Sequence, residues 1–368
     1  MDVLPLHFNT LRLCGVWHEA RLHWLVKYVW RPFTVSSMLL FTVSQLGALT
    51  VYRDNVNDFT ECLFLSLTYF GLCFKLLNLL CRHEAMRDLL SDFRRDVCAP
   101  RDERERDVLA GYRGIVALVF NLHIGVAQLN GVSFALVPLA SIALGQRDVD
   151  LPYKTYEIYD KRCAPYYWLT FAFQVVAACI SIFVNVTLDT ILAGFLLTTC
   201  AQIDLCCHRL ADSAGGKRAT RECVLHHVLI RGIVRKLEDF FMRVVLPLMF
   251  MSLITFCTSV YNVSQTKNSG AEWMSFVIYL VCLLCQLCCY CWFGNELKLK
   301  SNAISDSVYN SDWTALPPAD RKDLYFVMLS CQREMSISFH GFCTLTIEIF
   351  VWVLKTSYGA YNLLKTVE

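Results

Sequence analysis

The stretch that decides the fold runs from residue 165 to 211, PYYWLTFAFQVVAACISIFVNVTLDTILAGFLLTTCAQIDLCCHRLA. It is mostly apolar and, after Pro165, contains no proline and a single glycine, Gly194. A continuous helix of this length would measure about 70 Å at a rise of about 1.5 Å per residue. The hydrocarbon core of a bilayer is only about 30 Å thick. We therefore predict a helix that crosses a membrane and continues well beyond it on one side.

Six further segments are also long and apolar enough to cross a bilayer, which takes roughly 20 residues in a helix. The chain has 368 residues, 55% of them hydrophobic, and a mean hydropathy of +0.42. A soluble chain of this length would be less apolar. We therefore predict an all-α membrane protein with seven transmembrane helices. The predicted spans lie near residues 31–51, 59–80, 114–142, 165–200, 244–263, 273–294 and 341–364.

The 34 Lys and Arg residues nearly balance the 32 Asp and Glu residues, so the composition does not indicate nucleic-acid binding. The N-terminal segment and the loops 81–113, 201–243 and 295–340 hold 25 of the 34, whereas the remaining loops and the C-terminal end hold seven. Because cytosolic loops carry an excess of Lys and Arg, we predict a cytosolic N-terminus and an extracellular C-terminus. This is the reverse of a G-protein-coupled receptor. Asn262, in an Asn-Val-Ser sequon on the predicted outer side, is a candidate for glycosylation.

Helical spacing continues outside the predicted spans. We predict helices at residues 222–243, 295–311 and 318–338. The first of them is expected to break at Pro247, within the fifth span. Helices four to seven are therefore expected to extend into one cytosolic anchor bundle, whereas the charged run RDERERD at 101–107 fits a solvated helix face. The expected division of the chain is an interfacial N-terminal segment (1–30), transmembrane helices one to four (31–200), a cytosolic extension (201–243), helices five and six (244–294), cytosolic anchor helices (295–340) and helix seven (341–368).

Two groups of metal-capable side chains could meet across the loop that joins helices four and five. Their spacing departs from that of structural zinc sites, so we favour a packing role. The chain contains no nucleophile elbow, phosphate-binding glycine loop or HExxH motif, so we predict neither an enzyme nor a cofactor. The two groups are Cys206, Cys207 and His208, and Cys223, His226 and His227.

Three ionisable side chains fall within predicted spans. Such groups are costly in a bilayer and are usually paired or functional. Lys75 lies near the inner end of its span and is expected to extend its ammonium group to the interface. We expect Asp189 and Glu348 to be satisfied by neighbouring helices or by water rather than to conduct ions.

The last helix carries a stripe of side chains within roughly 100° of each other, apolar at its start and polar toward its outer end. Tyr and Lys commonly anchor the end of a membrane helix at the interface. An apolar constriction followed by a polar mouth is also typical of a pore wall. The spacing alone leaves both interpretations open. The stripe consists of Val351, Leu354, Tyr358, Tyr361, Asn362 and Lys365.

The segment from Tyr290 to Lys365 resembles the insect odorant receptor family. The resemblance rests on FGNEL at 293–297, SDW at 311–313 and DRK at 320–322, together with the L-x-x-E ending at Glu348 and the KTSY and LLK of the last helix. The run from Asp189 to Leu210 is also similar to the fourth helix of that family.

The resemblance implies an odorant-gated, non-selective cation channel in the plasma membrane of sensory neurons. It implies a heterotetramer in which this chain is the tuning subunit beside a shared co-receptor subunit. The seventh helix would line the pore, with its constriction at Tyr361, Leu364 and Lys365. Most contacts between subunits would lie in the anchor bundle, and membrane lipids and a small volatile odorant would be the other partners.

The resemblance also implies an odorant pocket in the outer half of the spans. Odorants are small and mostly apolar, so their site should be closed, aromatic and sparing with polar groups. Tyr69, Asn130 and Tyr279 could supply hydrogen bonds, although each candidate also fits ordinary helix packing. The candidates are Ser66, Tyr69 and Phe70 on span two, Asn130 and Phe134 on span three, Phe173 on span four, and Phe276 and Tyr279 on span six.

Three other classes remain as alternatives. A gustatory receptor channel shares the same plan, but FGNEL and SDW favour the odorant branch. A G-protein-coupled chemoreceptor is disfavoured by the charge bias and by the absence of proline after Pro318. A transporter is disfavoured because no internal repeat is visible in the sequence.

Overall fold

The computed structural model describes residues 3–17, 24–145, 149–156, 164–211, 217–265, 270–339 and 343–367. In these residues the chain is almost entirely helical, so the predicted all-α class is confirmed. A π-helical turn (Val26–Trp30), two 3₁₀ turns (Asp96–Cys98 and Trp313–Ala315) and a short hairpin complete the secondary structure. The helices are α1 (Pro5–Leu13), α2 (Arg31–Val51), α3 (Val56–Cys81), α4 (His83–Phe93), α5 (Glu103–Ala143), α6 (Ala164–Ala211), α7 (Lys217–Gln265), α8 (Ala271–Tyr309), α9 (Pro318–Cys331) and α10 (Ile347–Val367).

The long fourth helix is confirmed: α6 is one continuous helix of 48 residues. Within the described residues, six helices are long and apolar enough to cross a membrane, namely α2 with the turn before it, α3, α5, α6, α7 and α8. The predicted seventh span corresponds to α10, which has 21 residues and is not one of these six. The count of seven spans therefore stays a prediction.

Helix starts follow local capping rules. The side chain of Asn55 accepts a hydrogen bond of 3.1 Å from the backbone N–H of Asn57 at the start of α3. At the start of α5, Asp102 accepts one of 2.7 Å from the N–H of Glu105. Such caps satisfy N–H groups that have no partner inside the helix. The predicted start of α9 at Pro318 is confirmed.

Two predicted helix boundaries are wrong. The helix before Pro247 does not break there, since α7 runs through this proline to Gln265. Packed membrane helices tolerate an internal proline because neighbouring groups satisfy the freed carbonyl. Conversely, α9 ends at Cys331 instead of continuing to residue 338. At residue 338, where the predicted helix would have ended, the side chain of Glu238 accepts hydrogen bonds from the backbone N–H (3.1 Å) and the hydroxyl (2.8 Å) of Ser338. These tertiary bonds replace helical ones.

The segment after α9 forms a two-stranded antiparallel hairpin, β1 (Ser338–Phe339) and β2 (Cys343–Thr344). Ser338 pairs with Thr344 and Phe339 with Cys343. Cys343 and Thr344, near the start of the predicted seventh span, therefore belong to a strand, and α10 begins only at Ile347.

The helices share one core around α6, which packs against α5 and α8 and also contacts α1, α2 and α7. Helix α3 packs along α7, and α10 packs against α7 and α8. The helical bundle has two ends, which we call the loop end and the anchor end. The loop end holds the start of α3, the end of α5 and the starts of α6 and α8. The anchor end holds α4, α9, the hairpin, the last part of α6, the first part of α7 and the last part of α8.

Gly294, within the FGNEL motif, lies where α8 meets the segment that leads into α10. A Cβ atom there would stand 2.6 Å from both the carbonyl oxygen and the Cβ of Leu345. Because a backbone carbonyl cannot move aside as a flexible side chain can, we expect Gly294→Ala to destabilise the protein by about 1–3 kcal/mol. Thermal melting of the purified protein measures this loss.

Gly232→Ala on α7 is the matched control, since nothing lies within 4 Å of a Cβ atom there among the described residues. It is expected to be neutral or slightly stabilising because Ala forms helices better than Gly. Equal melting temperatures for the wild type and Gly294→Ala would show that the α8–α10 junction has room that the structure does not contain.

Candidate functional site

A cavity of about 110 Å³ lies between α3, α5, α6 and α8, toward the loop end. Its lining combines aromatic rings and aliphatic side chains with a few amides and hydroxyls. Such a largely apolar site with few polar groups suits a small organic molecule. Its lining residues include Leu65, Thr68, Tyr69, Leu72, His123, Ala127, Asn130, Gly131, Phe134, Tyr153, Ser181, Ile182, Asn185, Asp189, Tyr279, Cys282 and Gln286.

Aromatic rings line the part of the cavity nearest the loop end. Tyr153 stacks on Phe134 at a centroid distance of 5.8 Å and meets Phe41 edge-on at 5.5 Å. Tyr69 also packs edge-on against Phe41, at 4.7 Å. The hydroxyl of Tyr279 lies 2.5 Å from that of Thr68, so α8 is linked to α3 at the cavity wall. These pairs fix the rings in the geometries that aromatic side chains prefer.

The segment 149–156, which contributes Tyr153 to the cavity lining, is held by specific bonds. The amide N–H of Gln174 on α6 donates to the carbonyl of Tyr153 (3.1 Å) and to the hydroxyl of Thr155 (3.0 Å). Lys154 forms ion pairs with Asp58 and Glu61 on α3. This segment therefore links α3 to α6 beside the cavity.

A polar row on α6 forms the opposite part of the lining. Ser181, Asn185 and Asp189 follow each other at four-residue spacing and so share one helix face. The ammonium group of Lys75 on α3 lies 2.6 Å from an oxygen of Asp189 and 2.7 Å from the side-chain oxygen of Asn185. Tyr290 of α8 donates its hydroxyl to the same carboxylate.

The Lys75–Asp189 pair is buried, with side-chain exposures of 7% and 3%. The expectation that Lys75 reaches the interface is therefore wrong, because Asp189 offers it a partner within the bundle. The charge of each group is compensated by the other, so the pair adds no net charge to the cavity.

The structure brings four of the eight predicted pocket residues to the cavity, namely Tyr69, Asn130, Phe134 and Tyr279. Phe276 lies behind the wall, its ring 5.9 Å from that of Phe134. The buried hydroxyl of Ser66 donates to the carbonyl of Gln45 at 3.1 Å. Phe173 is partly buried against the core, and Phe70 is 48% exposed on the outside of the bundle.

Sequence reasoning missed several lining residues. The four-residue spacing of Ser181, Asn185 and Asp189 was a usable signal for a polar helix face. His123 and Gln286 are polar residues in apolar helices. A polar residue within a span is itself a signal for a functional site. Tyr153 lies in a loop, where no periodicity exists to predict the direction of its side chain.

Helix α10 turns its predicted stripe away from the core. Val353 and Ser357 are buried at 1% exposure each, whereas Val351 and Tyr358 are 40% and 59% exposed. The rings of Tyr358 and Tyr361 are 6.1 Å apart. Leu354 is half-buried and Asn362 is exposed. The side chains of Leu364 and Lys365 lie outside the part that the structure describes.

Asn262, the predicted glycosylation site, lies within α7 and is 95% buried. Its side-chain oxygen accepts a hydrogen bond of 2.8 Å from the hydroxyl of Thr60 on α3. In the fold described here, this amide therefore packs between two helices, and a sugar on it would have to separate them.

A second buried polar cluster lies at the anchor end. Arg209 of α6 makes two parallel bonds to Glu105 of α5, at 2.7 and 2.8 Å, and donates to the carbonyls of Val97 (2.6 Å) and Ala99 (2.8 Å). Side-chain exposures of 5% and 2% make this a buried ion pair with additional hydrogen bonds. Glu105 belongs to RDERERD, so the prediction that this run forms only a solvated face is wrong at that residue.

The two predicted metal-capable groups meet, since the thiol of Cys206 lies 4.0 Å from the carbonyl oxygen of Cys223, but the two histidines of the second group have other partners. His226 meets Gln202 at 2.9 Å and Arg209 at 3.4 Å, and His227 lies 3.5 Å from the sulfur of Cys331. Among the described residues, the acidic and His group whose ligand atoms approach within 4.8 Å is Asp102, Glu105 and His208 instead. Since Arg209 already occupies both oxygens of Glu105, this group favours an ion pair over a metal site.

The hydrogen bonds of His226 require a neutral ring. A guanidinium group only donates, so Nδ1 accepts from Arg209 and Nε2–H donates to the oxygen of Gln202. Burial, and then the charges of Arg209 and Arg101 and the nearby His227, lower the pKa of His226 to about 3. Burial likewise lowers the pKa of His227 to about 4, with Arg231 adding to the effect.

These two histidines predict that acid destabilises the anchor end. The unfolded chain binds protons to them below about pH 6.5, whereas the folded chain does not until about pH 3 to 4, so the free energy of unfolding falls as the pH is lowered through this window. The expected loss is up to about 1.4 kcal/mol per pH unit for each histidine. Melting temperatures measured from pH 7.5 to 4.5 test this.

His226→Gln keeps a hydrogen-bonding side chain without a titrating ring, and it should flatten the slope between pH 6.5 and 4.5. Glu105 titrates at lower pH, since Arg209 and the N–H of Arg101 lower its pKa despite burial. The same slope in the variant and in the wild type would contradict the assignment to His226.

Comparison with known proteins finds relatives over most of the chain. Residues 55–358 match the family model described as 7tm Odorant receptor. Odorant receptor 13a of Drosophila melanogaster is 22% identical over an alignment that covers 91% of this chain and 84% of that protein. Odorant receptor 46a, isoform A, of the same species is 20% identical, over 97% of this chain and 96% of that protein.

Solved structures agree in fold. The insect olfactory receptor OR5 of Machilis hrabei in complex with eugenol superposes with a TM-score of 0.89 at 14% sequence identity, covering 99% of this chain and 97% of that one. A second structure of the same receptor gives a TM-score of 0.87, also at 14% identity. At this identity the likeness shows a shared architecture from the first helix to the last.

Proposed function

Because this chain belongs to the 7tm odorant receptor family, we propose that it is the odorant-binding tuning subunit of a ligand-gated, non-selective cation channel. The proposed channel is a heterotetramer with a co-receptor subunit in the plasma membrane of sensory neurons. The chain would cross the membrane seven times, with its N-terminus in the cytosol and its C-terminus outside. The observation that carries the proposal is the largely apolar cavity, lined in part by aromatic rings, between α3, α5, α6 and α8.

The cavity suits a small volatile molecule. Its aromatic part offers flat apolar surface, and its polar part offers a few hydrogen-bonding groups without net charge. A solved relative in fold is described in complex with eugenol, itself a small aromatic molecule. In this proposal the odorant lies among Tyr69, Phe134, Tyr153 and Tyr279.

Helix α8 supplies a route from the cavity to the pore. It carries Tyr279 and Gln286 at the cavity and Gly294 two turns further on, against the segment that leads into α10. Because α8 is one continuous helix, a shift at the cavity wall would reach the base of α10. The ligand opens the pore if it binds the open packing of these helices more tightly than the closed one.

The exposed stripe of α10 is the proposed pore wall. Val351 and Leu354 would form its apolar part, and Tyr358, Tyr361 and Asn362 its polar part. With Leu364 and Lys365 at the constriction, four identical subunits would place four positive charges around a cation pathway. A homotetramer should therefore conduct poorly, which favours a mixed channel.

The anchor end is the proposed site of assembly. Its α9 exposes Tyr325, Phe326 and Leu329, and α7 exposes Leu225 and Val228. Large apolar side chains exposed together mark interaction surfaces. Aromatic residues in particular supply binding energy at the centre of protein interfaces.

The test is whole-cell recording during exposure to a broad set of small volatiles, with this chain expressed alone and together with a co-receptor subunit. We expect a fast cation current only when both chains are present. Accessibility of terminal tags in intact cells tests the orientation separately. A signal that depends on a G protein and is not accompanied by a channel current would overturn the proposal.

A further inference from the structure

Two buried polar atoms face the cavity and have no hydrogen-bond partner among the residues that the structure describes. They are the side-chain oxygen Oδ1 of Asn130 on α5 and the hydroxyl oxygen Oγ of Ser181 on α6. Ser181 is 1% exposed. A buried polar atom without a partner costs about 1–3 kcal/mol, so a ligand that satisfies both atoms would gain more than one that packs against apolar walls alone.

The two atoms belong to one wall of the cavity. Gly131 follows Asn130, and a Cβ atom on it would stand 2.5 Å from the side chain of Ile182, which follows Ser181. Helices α5 and α6 therefore approach closely at this point, and Asn130 and Ser181 flank the approach. The two helices therefore contribute an acceptor and a hydroxyl to the lining of the same cavity.

Several other polar groups of the cavity already have partners. Asp189 and Asn185 bind Lys75, and Thr68 binds Tyr279. Ser133, one turn from Asn130, donates its hydroxyl to a carbonyl of its own helix at 2.7 Å. A cationic ligand would thus find the carboxylate of Asp189 already paired, and an anionic ligand would find the ammonium of Lys75 already paired.

We propose that the cavity selects neutral aromatic alcohols and phenols over the corresponding ethers, hydrocarbons and charged analogues. The hydroxyl of the ligand would donate its hydrogen to Oδ1 of Asn130 and accept one from the hydroxyl of Ser181, while its ring lies among the cavity tyrosines and Phe134. This inference rests on the proposed function and adds the chemical class of the odorant.

The hydrogen-bonding capacities explain the selection. The oxygen of Asn130 only accepts, whereas the hydroxyl of Ser181 both donates and accepts. An ether or a ketone only accepts, so it can satisfy Ser181 but leaves Asn130 without a partner. A hydrocarbon satisfies neither atom. A site built to bind a hydroxyl rejects the analogue that lacks it, because its own buried groups then stay unpaired.

The test uses matched probe pairs on cells that express this chain with a co-receptor subunit. The pairs are 4-ethylphenol with 4-ethylanisole, and benzyl alcohol with benzyl methyl ether, together with toluene and benzylammonium. We expect half-maximal currents at concentrations at least about tenfold lower for the hydroxyl compound of each pair, the factor that one hydrogen bond supplies.

Variants assign the effect to the two side chains. Asn130→Leu keeps the approximate size of the side chain and removes its oxygen, so the two members of each pair should become equally potent while the ether still opens the channel. Ser181→Ala should reduce the preference in the same direction. Ser133→Ala is the matched control on the same helix. Its hydroxyl donates to a backbone carbonyl of that helix, so the variant should leave the tenfold ratio unchanged.

The outcomes separate this inference from the proposed function. Equal potency of alcohols and ethers in the wild type, or a preference that survives Asn130→Leu, would overturn the inference. Silence to all six probes in cells that respond to other volatiles would overturn it too, and would leave the proposed function standing. Silence to every volatile in a broad set would overturn the proposed function itself.

Discussion

Replacing Asp189 by alanine is expected to destabilise the protein strongly and to lower the amount that reaches the cell surface. The ammonium group of Lys75 would remain buried at 7% side-chain exposure without its carboxylate. Removing one partner of a buried ion pair costs about 3–5 kcal/mol, a large part of the stability of a typical domain. Surface labelling and thermal melting in detergent both measure the loss.

Two further variants give this prediction its controls. Asp54→Ala makes the same chemical change at a carboxylate that is 89% exposed, where an ion pair is worth little, so its melting temperature should stay close to that of the wild type. Lys75→Met combined with Asp189→Leu removes both charges and should recover much of the stability. If Asp189→Ala melted like the wild type, the buried pair would not hold α3 to α6.

The second large effect is expected from filling the cavity. Phenylalanine in place of Ala127, which lines the cavity on α5, would occupy much of its 110 Å³. We expect the concentration for half-maximal response to rise at least about tenfold for every active odorant, or the response to disappear, because one lost interaction of about 1.4 kcal/mol already gives tenfold. Dose–response curves of the odorant-evoked current measure the shift.

Leu129→Phe is the matched control for this variant. Leu129 lies two residues away on the same helix, is 58% exposed on the outside of the bundle, and does not line the cavity among the described residues. It should leave the response unchanged. Equal surface expression of the two variants must accompany the comparison. A normal response from Ala127→Phe at normal expression would place the odorant elsewhere.

Much of the architecture was predictable because long apolar runs have one physical solution in a bilayer. A run without internal proline such as 165–211 must form a helix to satisfy its backbone, and its length alone predicts an extension beyond the membrane. The start of α9 at Pro318 was predictable for a local reason too, since proline fits the first helical turn. Local chemistry decides these features, so a single sequence reveals them.

Contacts between distant segments were not predictable in the same way. RDERERD has the composition of a solvated face, yet Glu105 is buried because Arg209, about a hundred positions along the chain, reaches it. The end of α9 depends on Ser301 and Glu238, which bind the backbone N–H groups of Met335 and Ser338. Such partners meet only when the chain folds, so the local sequence pattern does not predict these contacts.

The candidate site contains both residues that the local sequence predicts and residues that it does not. Tyr69, Asn130, Phe134 and Tyr279 followed from aromatic and polar residues at helical spacing in the outer halves of the predicted spans, and the structure places them around one cavity. Tyr153 required knowledge of how the loop after α5 folds back over the bundle. Phe70 has the same chemistry as Phe134 but faces outward, because helix rotation is set by packing with neighbours rather than by residue type.

The central claim is that an odorant opens a pore formed by this chain and its partners, without a second messenger. Recording from excised outside-out patches that contain both subunits tests it most directly, with no GTP or ATP on the cytosolic side. We predict that a brief odorant pulse evokes a fast, non-selective cation current that persists after excision. A current that disappears on excision and returns only when GTP is supplied would contradict direct gating.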